Sequence, residues 1–191
     1  FVDSIGKDAF MGHEEINKIV LNEKLKNIEA GAFALCFGLK EINLVDSLRY
    51  IGKEAFRNTH LKSVVIPSKL KKISESTFAS CMSLEEITIS EGVEIIEPKA
   101  FAYSKVRKVR IPQSLKEIGS SAFLSCDYLQ DINIKDSNVE IIGPSAFKEC
   151  ILLKEINFPK SLRVIGSSAF EKCSNLRSIY IPASTLEIGT G

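Results

Sequence analysis

A phenylalanine recurs along this chain at an almost constant interval, and this period constrains the fold more than any other feature of the sequence. The recurring residues are Phe10, Phe33, Phe56, Phe78, Phe101, Phe123, Phe147 and Phe170, with successive gaps of 23, 23, 22, 23, 22, 24 and 23 residues. An isoleucine stands five residues before each of them, and Ile188 opens a ninth unit. A fixed period of about 20–50 residues is typical of a solenoid, in which each repeat forms one coil.

The repeat unit is L-x-x-I-x-I-P-x-S-L-x-x-I-G-x-x-A-F-x-x-C, which keeps the L-x-x-L-x-L core of leucine-rich repeats. Segments such as Ile42-Asn43-Leu44 alternate inward and outward residues with period two, which predicts a short strand. Pro98 and Pro144 lie three residues before the phenylalanine, a position that suits the first turn of a short helix or 3-10 segment. Each coil is therefore predicted to contain a strand, a turn, a second extended stretch and a tight turn or 3-10 segment around the phenylalanine.

One such coil cannot fold alone, because neighbouring coils must cover both faces of its core and pair with its strands. We expect about eight stacked coils of about 23 residues, roughly 38 Å long at a strand spacing of about 4.8 Å, with a parallel sheet on the concave face. Residues 1–191 would form a single leucine-rich-repeat domain. We also expect it to be a fragment of a longer protein, since neither end of the sequence carries a polar cap.

The segment 153–173, LKEINFPKSLRVIGSSAFEKC, resembles the BspA-like class of leucine-rich repeats, and the resemblance extends over nearly the whole chain. It implies a bacterial or protist surface protein, extracellular or on the cell surface, with a role in adhesion to host matrix or to other cells. It implies no enzyme and no conserved site residue. Departures from the unit are Thr77 in place of Ala, Ser74 and Glu97 in place of Gly, and His13, Thr59 and Ser104 in place of Cys.

Composition and motifs argue against several other functions. A formal net charge of +1 provides no global field for nucleic acid or an anionic membrane. No apolar run approaches the roughly 20 residues that span a bilayer. The chain has two histidines, His13 and His60, which are too few for a three-histidine metal site and disfavour a histidine-based catalytic triad. We therefore expect no enzyme activity, no cofactor, no metal and no membrane insertion.

All five cysteines follow their phenylalanine by three residues and so fall in one column of the solenoid: Cys36, Cys81, Cys126, Cys150 and Cys173. Side chains in one column point the same way, whereas a disulfide needs Cβ vectors that face each other. Thr59 and Ser104 fill the same position in other coils. We predict buried free thiols that pack as small apolar residues.

The residue between the two inward anchors of each strand must face outward, and this column is the predicted ligand-binding surface. Its members are Val20, Asn43, Val65, Thr88, Arg110, Asn133, Asn157 and Tyr180. Arg107 and Lys108 join the prediction as part of a basic run with Lys105 and Arg110. That run is either a contact for an acidic partner or a solvated surface row. The predicted partner is a protein, such as a host-matrix or cell-surface protein, or another macromolecule. An intracellular interaction scaffold is the alternative.

Overall fold

The computed structural model describes residues 2–191, which form a stack of coils with two rows of short parallel strands. We number the strands β1 to β17 in chain order. The first strand row precedes the phenylalanine turns and comprises β1 (Ser4–Ile5), β3 (Asn27–Ile28), β5 (Tyr50–Ile51), β7 (Lys72–Ile73), β9 (Ile95–Ile96), β11 (Glu117–Ile118), β13 (Ile141–Ile142), β15 (Val164–Ile165) and β17 (Glu187–Ile188). The second strand row comprises β2 (Lys18–Ile19), β4 (Glu41–Ile42), β6 (Ser63–Ile66), β8 (Glu86–Ile89), β10 (Lys108–Arg110), β12 (Asp131–Ile132), β14 (Glu155–Asn157) and β16 (Ser178–Tyr180).

Most strands pair in parallel with the equivalent strand of the next coil, with interruptions between β5 and β7, between β4 and β6, and between β12 and β14. The first row forms one sheet of β1, β3 and β5 and a second of β7, β9, β11, β13, β15 and β17. The second row divides into β2 with β4, then β6, β8, β10 and β12, then β14 with β16. Paired residues lie one repeat apart, as in Ser4 with Asn27 and Glu117 with Ile141. The predicted solenoid of about eight coils is confirmed.

The turn around each phenylalanine is built by an alternation of backbone conformation. In every coil the residues two before and two after the phenylalanine have positive φ, and the 14 of them that are not glycine have φ between 52° and 64°. Every second N–H therefore points along the solenoid axis. In the second coil, N–H groups donate from Gly31 to Lys53, from Phe33 to Ala55 and from Leu35 to Arg57, at 3.0, 2.8 and 2.8 Å.

The intervening N–H groups close four-residue turns within the coil, as in the bond from Ala34 to the carbonyl of Gly31. Turns are thus confirmed at this position, and no helix or 3-10 segment occurs in the described residues 2–191. A left-handed residue costs about 1–2 kcal/mol. The inter-coil hydrogen bonds that it permits offset part of that cost at about 0.5–1.5 kcal/mol each.

The core is a set of columns that run the length of the stack. Phenylalanine rings stack face to face from Phe10 to Phe170, with centroids 5.3–5.6 Å apart and interplanar angles of 3–13°. Six of these rings are at most 2% exposed. Phe10 at the first coil is 39% exposed because no preceding coil covers it. Stacked coils therefore supply the burial that a single coil lacks.

The five cysteines form the predicted column, and each is buried with a free thiol. Each thiol also donates a hydrogen bond to the phenylalanine carbonyl of the preceding coil, a contact that the apolar interpretation did not include. The bond from Cys126 to Phe101 is 3.2 Å long. Burial raises the pKa of Cys81 to about 11 and that of Cys126 to about 12. Thr59 and Ser104 fit the column because their hydroxyls donate to the carbonyls of Phe56 and Phe101.

Candidate functional site

The outward residues of the second strand row form the surface that we call the strand face. The strands alternate exposed and buried side chains, as in Ser63–Ile66 and Glu86–Ile89. Parallel register places equivalent residues side by side: Val65 lies beside Thr88, Thr88 beside Arg110 and Asn157 beside Tyr180. The strand face is therefore a column of side chains on a hydrogen-bonded support.

Nine of the ten predicted binding residues are exposed: Val20, Asn43, Val65, Thr88, Arg107, Arg110, Asn133, Asn157 and Tyr180. Lys108 is half-buried. Val20, Val65 and Tyr180 are 81%, 59% and 78% exposed, which are high values for large apolar or aromatic side chains. Arg107 precedes β10 and lies beside the strand face instead of in its column.

Asn133 has a role within the fold. Its Oδ1 accepts a 2.9 Å hydrogen bond from the backbone N–H of Ile111, and its Nδ2 donates to the Ile111 carbonyl at 3.5 Å. The side-chain amide of Asn133 thus takes the place of backbone pairing with the preceding coil, just after β12 ends at Ile132. Because both ends of the amide are used, Asn133 has less capacity to bind a ligand than the sequence indicates.

The basic run of the fifth coil divides into two pairs. Lys108 and Arg110 approach the carboxylate of Asp131, with N–O distances of 4.0 and 3.8 Å. Lys105 and Arg107 instead lie over the ring of Tyr128, with Nζ and Cζ 5.7 and 5.8 Å from the ring centroid. Arrangements of this kind are favourable cation–π contacts. Both pairs lie at the protein surface, and only the first is neutralised by a carboxylate.

A groove of about 710 Å³ opens beside the strand face at this point. Its lining residues are Lys62, Ser63, Met82, Ser83, Glu85, Glu86, Lys105, Arg107 and Tyr128. The third and fifth coils are one residue shorter between Phe and the next inward anchor, and the groove spans both of them. Sequence reasoning identified the shortened coils and Arg107 but missed Met82 and Tyr128, because neither belongs to a repeated column.

The described residues show no constellation that is typical of a metal centre. No group of three or more His, Cys, Asp or Glu side chains in residues 2–191 is placed to hold a metal ion. His13 packs edge-on against Phe10 at 6.0 Å, in a different coil from His60. Residues 2–191 contain no helix with the length and apolar character needed to cross a membrane.

Comparison with known proteins identifies the repeat. A family model described as the BspA type leucine rich repeat region matches residues 3–130 and 116–191, with six copies. The chain belongs to this family. Families of BspA-type repeats generally serve as binding modules for other proteins. No curated protein matches the chain significantly.

Several solved structures of bacterial proteins resemble this BspA-type chain. A leucine rich cell surface protein from Faecalibacterium prausnitzii A2-165 is 29% identical, with a TM-score of 0.54 over 93% of this chain, and the chain spans 57% of its length. The leucine rich repeat protein TpLRR of T. pallidum is 25% identical, with a TM-score of 0.60 over 92% of this chain and 72% of its own. The pneumococcal vaccine antigen PcpA is 20% identical, with a TM-score of 0.58 and coverages of 97% and 63%, and shows the fold alone.

Proposed function

We propose that this BspA-type chain is a non-catalytic adhesion module, at the cell surface or secreted, that binds a protein partner through its strand face. The observation that carries the proposal is the exposure of Val20, Val65 and Tyr180 on a rigid column. Large apolar and aromatic side chains that are already ordered lose little conformational entropy on binding. Tyrosine and arginine are also enriched among the residues that dominate binding energy. The surface location is supported by the description of the Faecalibacterium relative as a cell surface protein.

The binding test compares matched double variants on the two strand rows. Arg110→Ala with Tyr180→Ala removes an arginine and a tyrosine from the strand face. Arg49→Ala with Tyr50→Ala removes the same residue types from the first strand row, where both are exposed. Binding of each variant to a panel of purified extracellular-matrix proteins is measured by surface plasmon resonance.

We expect the strand-face variant to lose about 1–2 kcal/mol of binding free energy for each substitution, because anchors of this type are worth that much. The first-row variant should bind as the unmodified chain does. Both should unfold within about 0.5 kcal/mol of the unmodified chain, as ordinary surface substitutions do. Full affinity in the strand-face variant, with loss in the first-row variant, would contradict the proposed binding surface.

Location is tested separately by antibody labelling of intact and permeabilised cells of the source organism. Labelling of intact cells is expected for a surface protein. Labelling that requires permeabilisation would favour the intracellular scaffold.

A further inference from the structure

A column in which five of eight residues are cations without an ion pair runs along the edge of the strand face, one residue before each strand of the second row. We call it the basic corner. Its positions, from the first coil to the eighth, are Asn17, Lys40, Lys62, Glu85, Arg107, Gln130, Lys154 and Arg177, and all are exposed. Five cations and one carboxylate give the basic corner a formal charge of +4. The whole chain carries only +1, so positive charge is concentrated here.

Backbone hydrogen bonds hold these positions in line. In five of the seven steps the corner carbonyl accepts from the N–H of the corner residue in the next coil, as in Arg107 to Glu85 at 2.8 Å and Gln130 to Arg107 at 3.0 Å; the steps from Lys40 to Lys62 and from Gln130 to Lys154 lack this bond. The same bond joins Glu85 to Lys62 and Arg177 to Lys154, at 2.9 and 3.3 Å. The Cα atoms therefore follow the strand spacing of about 4.8 Å. From Lys40 to Arg177 the column extends over six steps, or roughly 29 Å.

The equivalent corner on the first strand row shows what the fold does with charge elsewhere. There the sign alternates over five coils, as Lys71, Glu94, Lys116, Glu140 and Arg163, with the same backbone bonds between successive coils. Glu94 pairs with Lys116 at 2.8 Å and with Lys71 at 3.8 Å. Over these five coils the corner neutralises itself, whereas Lys26 and Arg49, in the two coils before Lys71, are also cations. Stacked coils therefore do not require charges of one sign.

None of the five cations of the basic corner makes an ion pair of 4.0 Å or less with a described residue. The acidic residues of the adjoining strands are partly engaged on the strand face: Glu41 pairs with Lys18 at 3.1 Å, and Asp131 with Lys108 and Arg110. Lys40 with Lys62, and Lys154 with Arg177, stand in successive coils, closer than the Debye length of about 8 Å, and so repel each other at physiological salt. A ligand with anionic groups along its length would relieve this repulsion.

We propose that the basic corner binds a sulfated polysaccharide that lies along the solenoid axis. The column is one residue wide, and Glu41, Glu86, Asp131 and Glu155 flank it on the strand side, so a narrow chain fits and a nucleic-acid duplex does not. An extended acidic peptide repeats same-face side chains at about 6.8 Å, out of step with coils at about 4.8 Å. One pyranose ring advances a polysaccharide by about one coil, so its sulfates can meet cations that stand one or two coils apart.

The groove beside the column adds contacts for sugar rings. It lies where the third and fifth coils are shortened, and it brings Tyr128, Met82 and Ser83 next to Lys62 and Arg107. Tyr128 holds Arg107 in place through the cation–π contact. An exposed ring, a thioether and a hydroxyl can contact the apolar and hydroxyl faces of a sugar, while the cations contact its sulfates.

The test measures binding of the full chain to a short, size-defined heparin oligosaccharide by isothermal titration calorimetry at several salt concentrations. The test variant is Lys62→Gln, Arg107→Gln and Lys154→Gln. The matched control is Lys71→Gln, Lys116→Gln and Arg163→Gln, which removes the same charge from the other corner. Circular dichroism and thermal unfolding check that both variants are folded.

We expect the test variant to bind at least about tenfold more weakly. The slope of log K against log salt should become less negative by about 2, since the release of about 0.7 counterions is lost with each of the three contacts. The control should bind within about twofold of the unmodified chain. Glu85→Gln, which removes the one carboxylate of the column, should bind more tightly. The strand-face variant should bind heparin as the unmodified chain does. The experiments can therefore refute the strand-face proposal or the basic-corner proposal independently of each other.

Several results would overturn the inference. Equal losses in both triple variants would show that only net charge matters. A desulfated oligosaccharide or poly-glutamate that binds as tightly as heparin would refute a sulfated polysaccharide as the ligand. Loss of heparin binding in the strand-face variant would move the site off the basic corner, and no measurable binding by the unmodified chain would refute the site altogether.

Discussion

Replacing Phe101 by alanine should destabilise the chain more than the same change at the end of the ring stack. Phe101 is fully buried, and its ring stacks on Phe78 at 5.6 Å and on Phe123 at 5.3 Å. Truncation of a buried phenylalanine costs about 3–5 kcal/mol. Each ring contact adds about 0.5–1.5 kcal/mol beyond burial. We expect a loss of about 4–8 kcal/mol, whereas Phe10→Ala, with one stacked ring neighbour and 39% exposure, should lose about 1–2 kcal/mol.

The assay is equilibrium unfolding in urea, with the m-value compared between variants so that a change in cooperativity is recognised. Phe101→Leu is the control, because leucine keeps most of the apolar volume and loses the ring stacking. It should cost about 1–2 kcal/mol. Equal losses for Phe101→Ala and Phe10→Ala at constant m-value would refute the view that burial by coils on both sides sets the stability.

Four further predictions concern the backbone and the thiols. Gly166→Ala should lower the free energy of unfolding by about 1–3 kcal/mol, because the added Cβ would lie 2.3 Å from the backbone N of Pro144. The control Gly6→Ala places its Cβ where nothing lies within 4 Å, and it should lower the free energy of unfolding by less than about 1 kcal/mol in the same assay. Lys99→Gly should stabilise the chain by about 0.5–1 kcal/mol, because Lys99 has a φ of 57° that glycine adopts without penalty; Lys99→Ala should give no such gain. Thiol titration at pH 8 should detect five groups after denaturation and almost none before it, and three or fewer after denaturation would contradict free thiols. Burial raises the pKa of Cys126 from 9.0 to about 12, so as the pH rises the unfolded chain loses this proton before the folded chain does. The contribution of Cys126 to the free energy of unfolding should therefore be complete below pH 9 and lost as the pH rises toward 12. Urea titrations at several pH values measure it.

The period in the sequence was enough to predict the solenoid, its inward columns and the strands after the phenylalanines. Those features depend on burial, and burial is expressed in every coil by the same residue types. The alternation of positive φ around the phenylalanine could not be predicted in the same way. Residues as different as Leu35, Tyr103 and Glu149 adopt the left-handed conformation there, because hydrogen bonds to the next coil set the backbone and the side chain does not.

The candidate sites were less predictable because they depend on differences between coils. Exposure of the strand-face column followed from the alternation of the strands, but the use of Asn133 by Ile111 depends on where β12 ends. The basic corner is visible in the first variable position of L-x-x-I once the coils are aligned. Its meaning needed the structure, which shows that Arg107 has no carboxylate partner among the described residues and that Lys116 on the other row does.

The two corners together indicate how a repeat protein can acquire specific surfaces without changing its core. Charges that stack at about 4.8 Å interact strongly with the next coil, so a column of alternating sign stabilises the stack and leaves little field outside it. The first-row corner around Glu94 has this property. A column of one sign costs a little stability and keeps an external field that can attract a ligand. The basic corner, with five cations and one carboxylate, comes close to that property, and the exposed apolar side chains of Val65 and Tyr180 lie on the strands beside it. The cations without ion pairs and the exposed apolar side chains both occur on the second strand row. We therefore assign binding to that side of the solenoid.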